Sequence, residues 1–210
     1  MNDIIFNTIY KRGYVSATCP PDVFAQIKAE VTEMRENAFA QAAPYNSLLV
    51  GSIQHEYLLE RSCDALMAPV QAMADAYMAE FGADPVNFAM RDPFGGAPDV
   101  WVNFQQKGED NPPHQHRGDL SFVLWVQVPF EIQAERARLP ENSMATFAAS
   151  FGMLIPDHYS RGGIATVSLP VDRTWEGRMI LFSSDTFHYV TPFHTSDAYR
   201  ISVAGNIRAT

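Results

Sequence analysis

Beyond Val86 the chain breaks into short apolar runs separated by turn residues. They cover residues 87–90, 100–104, 120–128, 146–154, 164–169, 179–182, 188–193 and 199–207. Runs of strand length at that spacing suit two stacked antiparallel sheets better than a helical bundle. A β-sandwich or jelly roll is therefore expected for this half. The 14 Phe, 8 Tyr and 3 Trp fit the same reading, because aromatic side chains pack well on a pleated, half-buried surface.

The first 84 residues read differently. A strand or strand pair is expected over residues 4–14, with Lys11-Arg12-Gly13 as its turn. Pro20-Pro21-Asp22 opens a helix whose stripe is Val23, Ile27, Val31 and Met34, with Lys28, Glu30 and Glu33 mostly opposite. After a turn-rich stretch at 43–52, a second helix is expected from about residue 60 to 81. Its apolar face is Leu66, Val70, Met73 and Tyr77, and Gly82 ends it. With no internal repeat or linker, the expectation is one domain over 1–210. A helical part (1–84) would lay two helices on one face of a jelly-roll core (85–210), a mainly β chain with α.

Composition removes several classes of function. A hydrophobic content of 47% with 19% charged residues excludes a disordered chain. The net charge of −9 argues against nucleic-acid partners, whose phosphates call for a basic surface. Cys19 and Cys63 form no CxxC pair, so a cysteine zinc site is not expected and a reducing compartment is. The N-terminus lacks a basic region followed by a long apolar core, and no run reaches membrane-spanning length. A cytoplasmic protein without membrane contact is expected.

Chemistry concentrates in two places. Pro112-Pro113-His114-Gln115-His116 precedes the apolar run at 120–128, and in an extended segment the two His at i and i+2 share a face. Far along the chain, the run at 179–182 leads through Ser183-Ser184-Asp185-Thr186 to His188. A third imidazole from that strand would close a metal site. Arg200 and Ser202, again at i and i+2, sit in an apolar run with Ile201 and Val203. An inward Arg there needs a partner. Either an internal acid or a bound dicarboxylate gripped by the guanidinium fork would serve.

Several segments together carry a resemblance: Trp101-Val102-Asn103-Phe104-Gln105, Pro112 to His116, Leu120 to Trp125, and Tyr199 to Asn206, with Gly51-Ser52-Ile53 and Glu56-Tyr57. The chain resembles iron(II)/2-oxoglutarate-dependent oxygenases of the kind found in marine phages and bacteria. The resemblance implies a double-stranded β-helix, Fe(II) as cofactor and 2-oxoglutarate as cosubstrate. It further implies His188 as the distal ligand and Arg200 with Ser202 as the cosubstrate clamp. Asn103 would bind the cosubstrate or orient a ligand. No catalytic residue is implied beyond the metal centre.

One departure leaves the ligand set open. The usual triad is His-x-Asp/Glu plus a distal His, and no carboxylate stands two residues after His114 or His116. His114, His116 and His188 can form a three-His site. His116 and Asp119 can complete a triad with His188 across a bulge. Alternatively, His116 and His188 act alone, with Gly118 where the acid would be. The implied reaction is oxidative decarboxylation of 2-oxoglutarate coupled to hydroxylation of a small molecule, amino acid or peptide. The segment Phe130 to Ser143, carrying Arg136 and Arg138, would cover the site. Two rival readings use the same fold: a cupin-like three-His metalloenzyme without 2-oxoglutarate, and a non-catalytic binding module with dispersed His.

Overall fold

The computed structural model describes residues 13–81, 86–90, 98–141, 147–157 and 163–210. In chain order the elements are β1 (Tyr14–Thr18), α1 (Pro21–Glu36), β2 (His55–Leu58), α2 (Met67–Phe81), β3 (Phe88–Ala89), β4 (Val100–Gln105), β5 (Asn111–His114) and β6 (Leu120–Gln127). There follow α3 (Ile132–Arg136), β7 (Phe151–Asp157), β8 (Gly163–Leu169), β9 (Arg178–Ser183), β10 (Phe187–Val190) and β11 (Arg200–Ala209). The larger sheet runs β1-β9-β6-β11-β4-β2, with β3 pairing the end of β11. The smaller runs β5-β10-β7-β8. The pairings are antiparallel. The architecture is mainly β with few helices, a sandwich of the jelly-roll kind.

Strand alternation sorts the larger sheet into two faces. Val100, Val102, Phe104, Phe122, Leu124, Leu181 and Val203 join one core with Val23, Ile27 and Val31 of α1 and Val70, Met73 and Tyr77 of α2. Trp101, Val123, Trp125, Ile180, Phe182 and Ala204 join a second core with Phe151 and Met153 of the smaller sheet. Each fully buried side chain of this size contributes about 1.5–3 kcal/mol. The polar residues Asn103, Gln105, Ser121, Arg200 and Ser202 share strands and alternation with the second set. They line a cavity between the sheets instead of filling it.

Several expectations need correction. Glu30 is not on an exposed helix face. It is 5% exposed, and its carboxylate accepts from the backbone N–H of Glu60, Arg61 and Ser62 and from Ser62 Oγ. That capture holds 60–62 out of the second helix, which begins at Met67 after a 3-10 turn over Cys63–Leu66. Pro69 then falls in the first turn, where its missing N–H costs nothing; a start at residue 60 would bury it mid-helix. The run at 188–193 yields a strand only to Val190, because Pro192 cannot donate to a ladder. The stretch 130–143 carries α3, and His55–Leu58 forms β2, which pairs β4. Most of the expected first strand (4–12) and the Gly82 helix end lie outside the described residues.

Candidate active site

His114 closes β5 and stands opposite His188 of β10 in the strand register. His116 lies just past β5, its backbone N–H bonded to Ser184 O at 3.1 Å. The chain thereby delivers three imidazoles to one point. Ring centroids are 4.8 Å apart for His114 and His116, 4.2 Å for His114 and His188, and 4.9 Å for His116 and His188. One nitrogen from each lies within 4.8 Å of the others. His158 lies outside the described residues, and His55 stacks on Phe39 away from the cluster.

Two of the tautomers are fixed by backbone. His114 Nδ1 lies 2.7 Å from Pro112 O and His188 Nδ1 lies 2.9 Å from Thr186 O. A carbonyl only accepts, so each Nδ1 carries the proton and each Nε2 keeps a lone pair for a metal. Burial also keeps the rings neutral. It pushes His188 well below the ordinary range, helped by His114 and His116, and lowers His114 as well. His116 falls to about 3 through burial and then the neighbouring His114. Neutral nitrogen donors at this spacing suit Fe(II) among other divalent metals.

The cavity at this cluster is also lined by Asn103, Gln105, Arg200 and Ser202. Arg200 is 4% exposed. Its Nε donates to Gln105 Oε1 at 2.7 Å, Nη1 to Ala149 O at 3.1 Å and Nη2 to Thr191 O at 3.0 Å. The guanidinium also lies 5.8 Å from the Phe130 ring and 5.6 Å from the Phe193 ring. No carboxylate contacts it among the described residues. The acid acting on it through space is Glu135, whose oxygens accept from the N–H groups of His194 and Thr195. Burial outweighs that attraction and lowers the Arg200 pKa to about 9. Three of its five donors are thus committed to neutral acceptors, and two remain for an anion.

Asn103 Nδ2 lies 3.3 Å from Ser202 Oγ, and Asn103 Oδ1 is buried without a partner. Turning the amide by 180° keeps the Ser202 bond and offers the NH2 instead, so either way one polar atom remains for a ligand. The cavity is narrow, ≈50 Å³.

Two alternatives for the ligand set meet geometry that does not support them. Asp119 Oδ2 accepts from the Ala209 N–H at 2.8 Å and does not line the cavity. A side chain at Gly118 would run into Ser184 Oγ at 3.2 Å and Asn206 Cβ at 3.3 Å, away from the imidazoles. The i, i+2 rule fails there because β5 has already ended at His114. Asp119→Ala is expected to leave bound iron unchanged, as read by metal analysis. A loss of half or more would return Asp119 to the ligand set.

Sequence reasoning missed Gln105 and Trp101, although both share the face of Asn103 by alternation along β4. It also gave no role to Glu56, which pairs Asn103 across β2 and β4. Glu56 is 1% exposed; Oε2 accepts from Asn46 Nδ2 at 3.2 Å, while Oε1 has no partner. Gly51 packs closely beside it: a Cβ there would sit 3.3 Å from Asn111 Oδ1 and 3.5 Å from Glu56 Oε1. Burial, then Glu109, raises the Glu56 pKa to about 7. Between 4.5 and 7 the folded chain holds a proton that the unfolded chain releases, so this group lowers stability as pH rises through that window. Glu56→Gln should therefore stabilise the protein at pH 8, by up to about 3 kcal/mol, and have little effect at pH 4. Urea unfolding at the two pH values checks this; an equal shift at both would contradict it.

With the geometry in place, similarity to known proteins can be weighed. A sequence model for the family described as "Putative 2OG-Fe(II) oxygenase" matches residues 99–206, just over half of the chain, from Asp99 before β4 to Asn206 in β11. The chain belongs to this family, whose cofactor is Fe(II) and whose cosubstrate is 2-oxoglutarate. No curated protein sequence matches it. Among solved structures it is similar to a Pseudomonas putida prolyl-4-hydroxylase, at 17% identity and TM-score 0.53, covering 95% of this chain and 94% of that one. It is also similar to the non-heme alpha ketoglutarate dependent epimerase SnoN from nogalamycin biosynthesis, at 14% identity and TM-score 0.59, covering 94% and 78%. A third is AviO1 from Streptomyces viridochromogenes Tue57, at 13% identity and TM-score 0.51, covering 95% and 90%. At these identities the likeness concerns the fold.

Proposed function

We propose that the chain is a single-domain, cytoplasmic Fe(II)- and 2-oxoglutarate-dependent oxygenase that hydroxylates a C–H bond of a small molecule, amino acid or peptide. In this reading residues 1–210 form one double-stranded β-helix unit, with α1 and α2 buttressing one face of the larger sheet. His114, His116 and His188 hold the metal, and Arg200, Ser202 and Asn103 receive the cosubstrate. The observation that carries it is Arg200, a buried cation that no carboxylate contacts among the described residues, on the cavity that the three imidazoles share. A buried charge is stable only when paired, and a dicarboxylate bound across the metal supplies the partner. Cys19 and Cys63, both buried and in no disulfide, and the net charge of −9 suit a reducing compartment and a non-nucleic-acid substrate. Among the described residues no helix is long and apolar enough to cross a membrane.

When bound, Fe(II) and 2-oxoglutarate supply the oxidising power: O2 converts the oxo acid to succinate and CO2, and its second atom goes to the substrate. The protein's part is positioning. Pro112 O and Thr186 O orient two imidazoles so that both Nε2 atoms face inward. Gln105, Ala149 O and Thr191 O set the guanidinium plane before any anion arrives. Phe151 and Phe182, packed against His188, exclude water from one side of the metal site. The cupin-like alternative would leave Arg200 needing an acid that none of the described residues brings into contact with it. Incubation with Fe(II), 2-oxoglutarate and O2 should yield succinate. Its absence at full iron loading, with substrate candidates present, would favour the cupin-like enzyme.

A further inference from the structure

A second, wider cavity of ≈530 Å³ meets the first at His116 and Trp101, residues that line both. That volume is within the roughly 300–1,000 Å³ of small-molecule sites. Building on the reading of the three His as the metal site, we infer that this cavity is the substrate pocket and that it selects a small molecule bearing one carboxylate.

The walls define the ligand. Tyr45 and Trp101 stack at 5.5 Å and 21°, and Leu49 and the 70% exposed Leu48 extend that apolar side. The other side carries Asp99, Arg117 and Arg208. Asp99 is already satisfied: Oδ1 accepts from Tyr45 OH at 3.0 Å, and Oδ2 from Asn206 Nδ2 at 3.2 Å and Arg208 Nη2 at 3.1 Å. Its charge therefore balances Arg208 and leaves nothing for a cationic ligand. Arg208 Nη2 also donates to Arg117 O at 3.0 Å, which fixes the guanidinium, while its Nη1 is buried without a partner among the described residues. Arg117 is exposed and in no ion pair among the described residues.

Among the described residues that line this cavity, one positive charge is thus left uncompensated beside the candidate metal site, in a chain of net charge −9. A carboxylate supplies a single negative charge and acceptors for these donors. A phosphomonoester carries about −1.5 to −2 and exceeds what Arg117 alone balances. With the carboxylate toward Arg117 and Arg208, an apolar or aromatic body lies against Trp101, and its C–H bonds lie next to His116.

The test uses the N-acetyl derivatives of the eighteen monocarboxylic protein amino acids, their C-terminal amides and phenyl phosphate as probes. Binding to the metal-free protein is read by ligand-observed saturation-transfer NMR, and proximity by line broadening with Mn(II) loaded. At least one acid should bind ten times more tightly than its amide, and more tightly than phenyl phosphate, with broadened side-chain protons. Arg117→Glu, at an exposed position, should abolish the preference for acid over amide. Equal binding of acids and amides, binding of none of the acids, or a preference that survives Arg117→Glu would overturn the inference. A preference for phenyl phosphate would overturn the carboxylate assignment. Failure of Mn(II) to load would defeat the metal reading instead, leaving the acid and amide comparison on the metal-free protein to decide the pocket.

Discussion

Arg200→Ala is expected to weaken 2-oxoglutarate binding ten- to a hundredfold while sparing the metal. The estimate follows from charge-assisted hydrogen bonds worth roughly 1.5–3 kcal/mol net, each 1.4 kcal/mol being about tenfold in affinity. The substitution also leaves Ala149 O and Thr191 O without the donors they hold, which costs roughly 1–3 kcal/mol for each carbonyl left unsatisfied. A lower melting temperature should accompany the change, so affinities must be compared well below it. Arg200→Lys separates charge from geometry: it keeps the cation, loses the planar fork, and should fall between alanine and the wild type. Calorimetry on Mn(II)-loaded protein reads all three. An unchanged affinity in Arg200→Ala would remove Arg200 from the cosubstrate site.

The second large effect is expected at His188. Losing even the hydrogen-bond partner of a metal ligand typically costs roughly 10–100-fold in affinity, and His188→Ala removes a ligand outright. Metal binding should drop by at least about a hundredfold, with the fold retained. The ring is packed by Phe151 and Phe182 and bonded to Thr186 O, so a lower melting temperature should accompany the change and metal binding is compared well below it. Full metal stoichiometry in this variant, by elemental analysis, would contradict the three-His site.

Much of this arrangement was legible in the sequence for simple reasons. The period of two in Arg200, Ser202, Ala204 and Asn206 places one row on one face, and the same rule holds along β4 for Trp101, Asn103 and Gln105. The pair His114 and His116 was visible, but not the reason it works. His116 reaches the cluster from beyond the end of β5, held by Ser184 O, so its neighbour Gly118 does not share its direction. Long-range contacts were illegible. Glu30 looks like a surface residue on a helical wheel, yet it caps the chain at 60–62, and nothing local marks that capture. The same holds for Glu56, whose burial depends on β2 pairing with β4, and for Asp99, whose bonds to Tyr45, Asn206 and Arg208 join distant segments. The second cavity exists only where those segments meet.

The most direct measurement of the central claim is a calorimetric titration of 2-oxoglutarate into the protein with and without Mn(II), in wild type and His188→Ala. The three imidazoles and Arg200 line one cavity, so the oxo acid should bind once per chain, only when metal is present, and not at all in His188→Ala. Binding that is equally tight without metal, or no binding to the loaded wild type, would contradict a shared site for metal and cosubstrate.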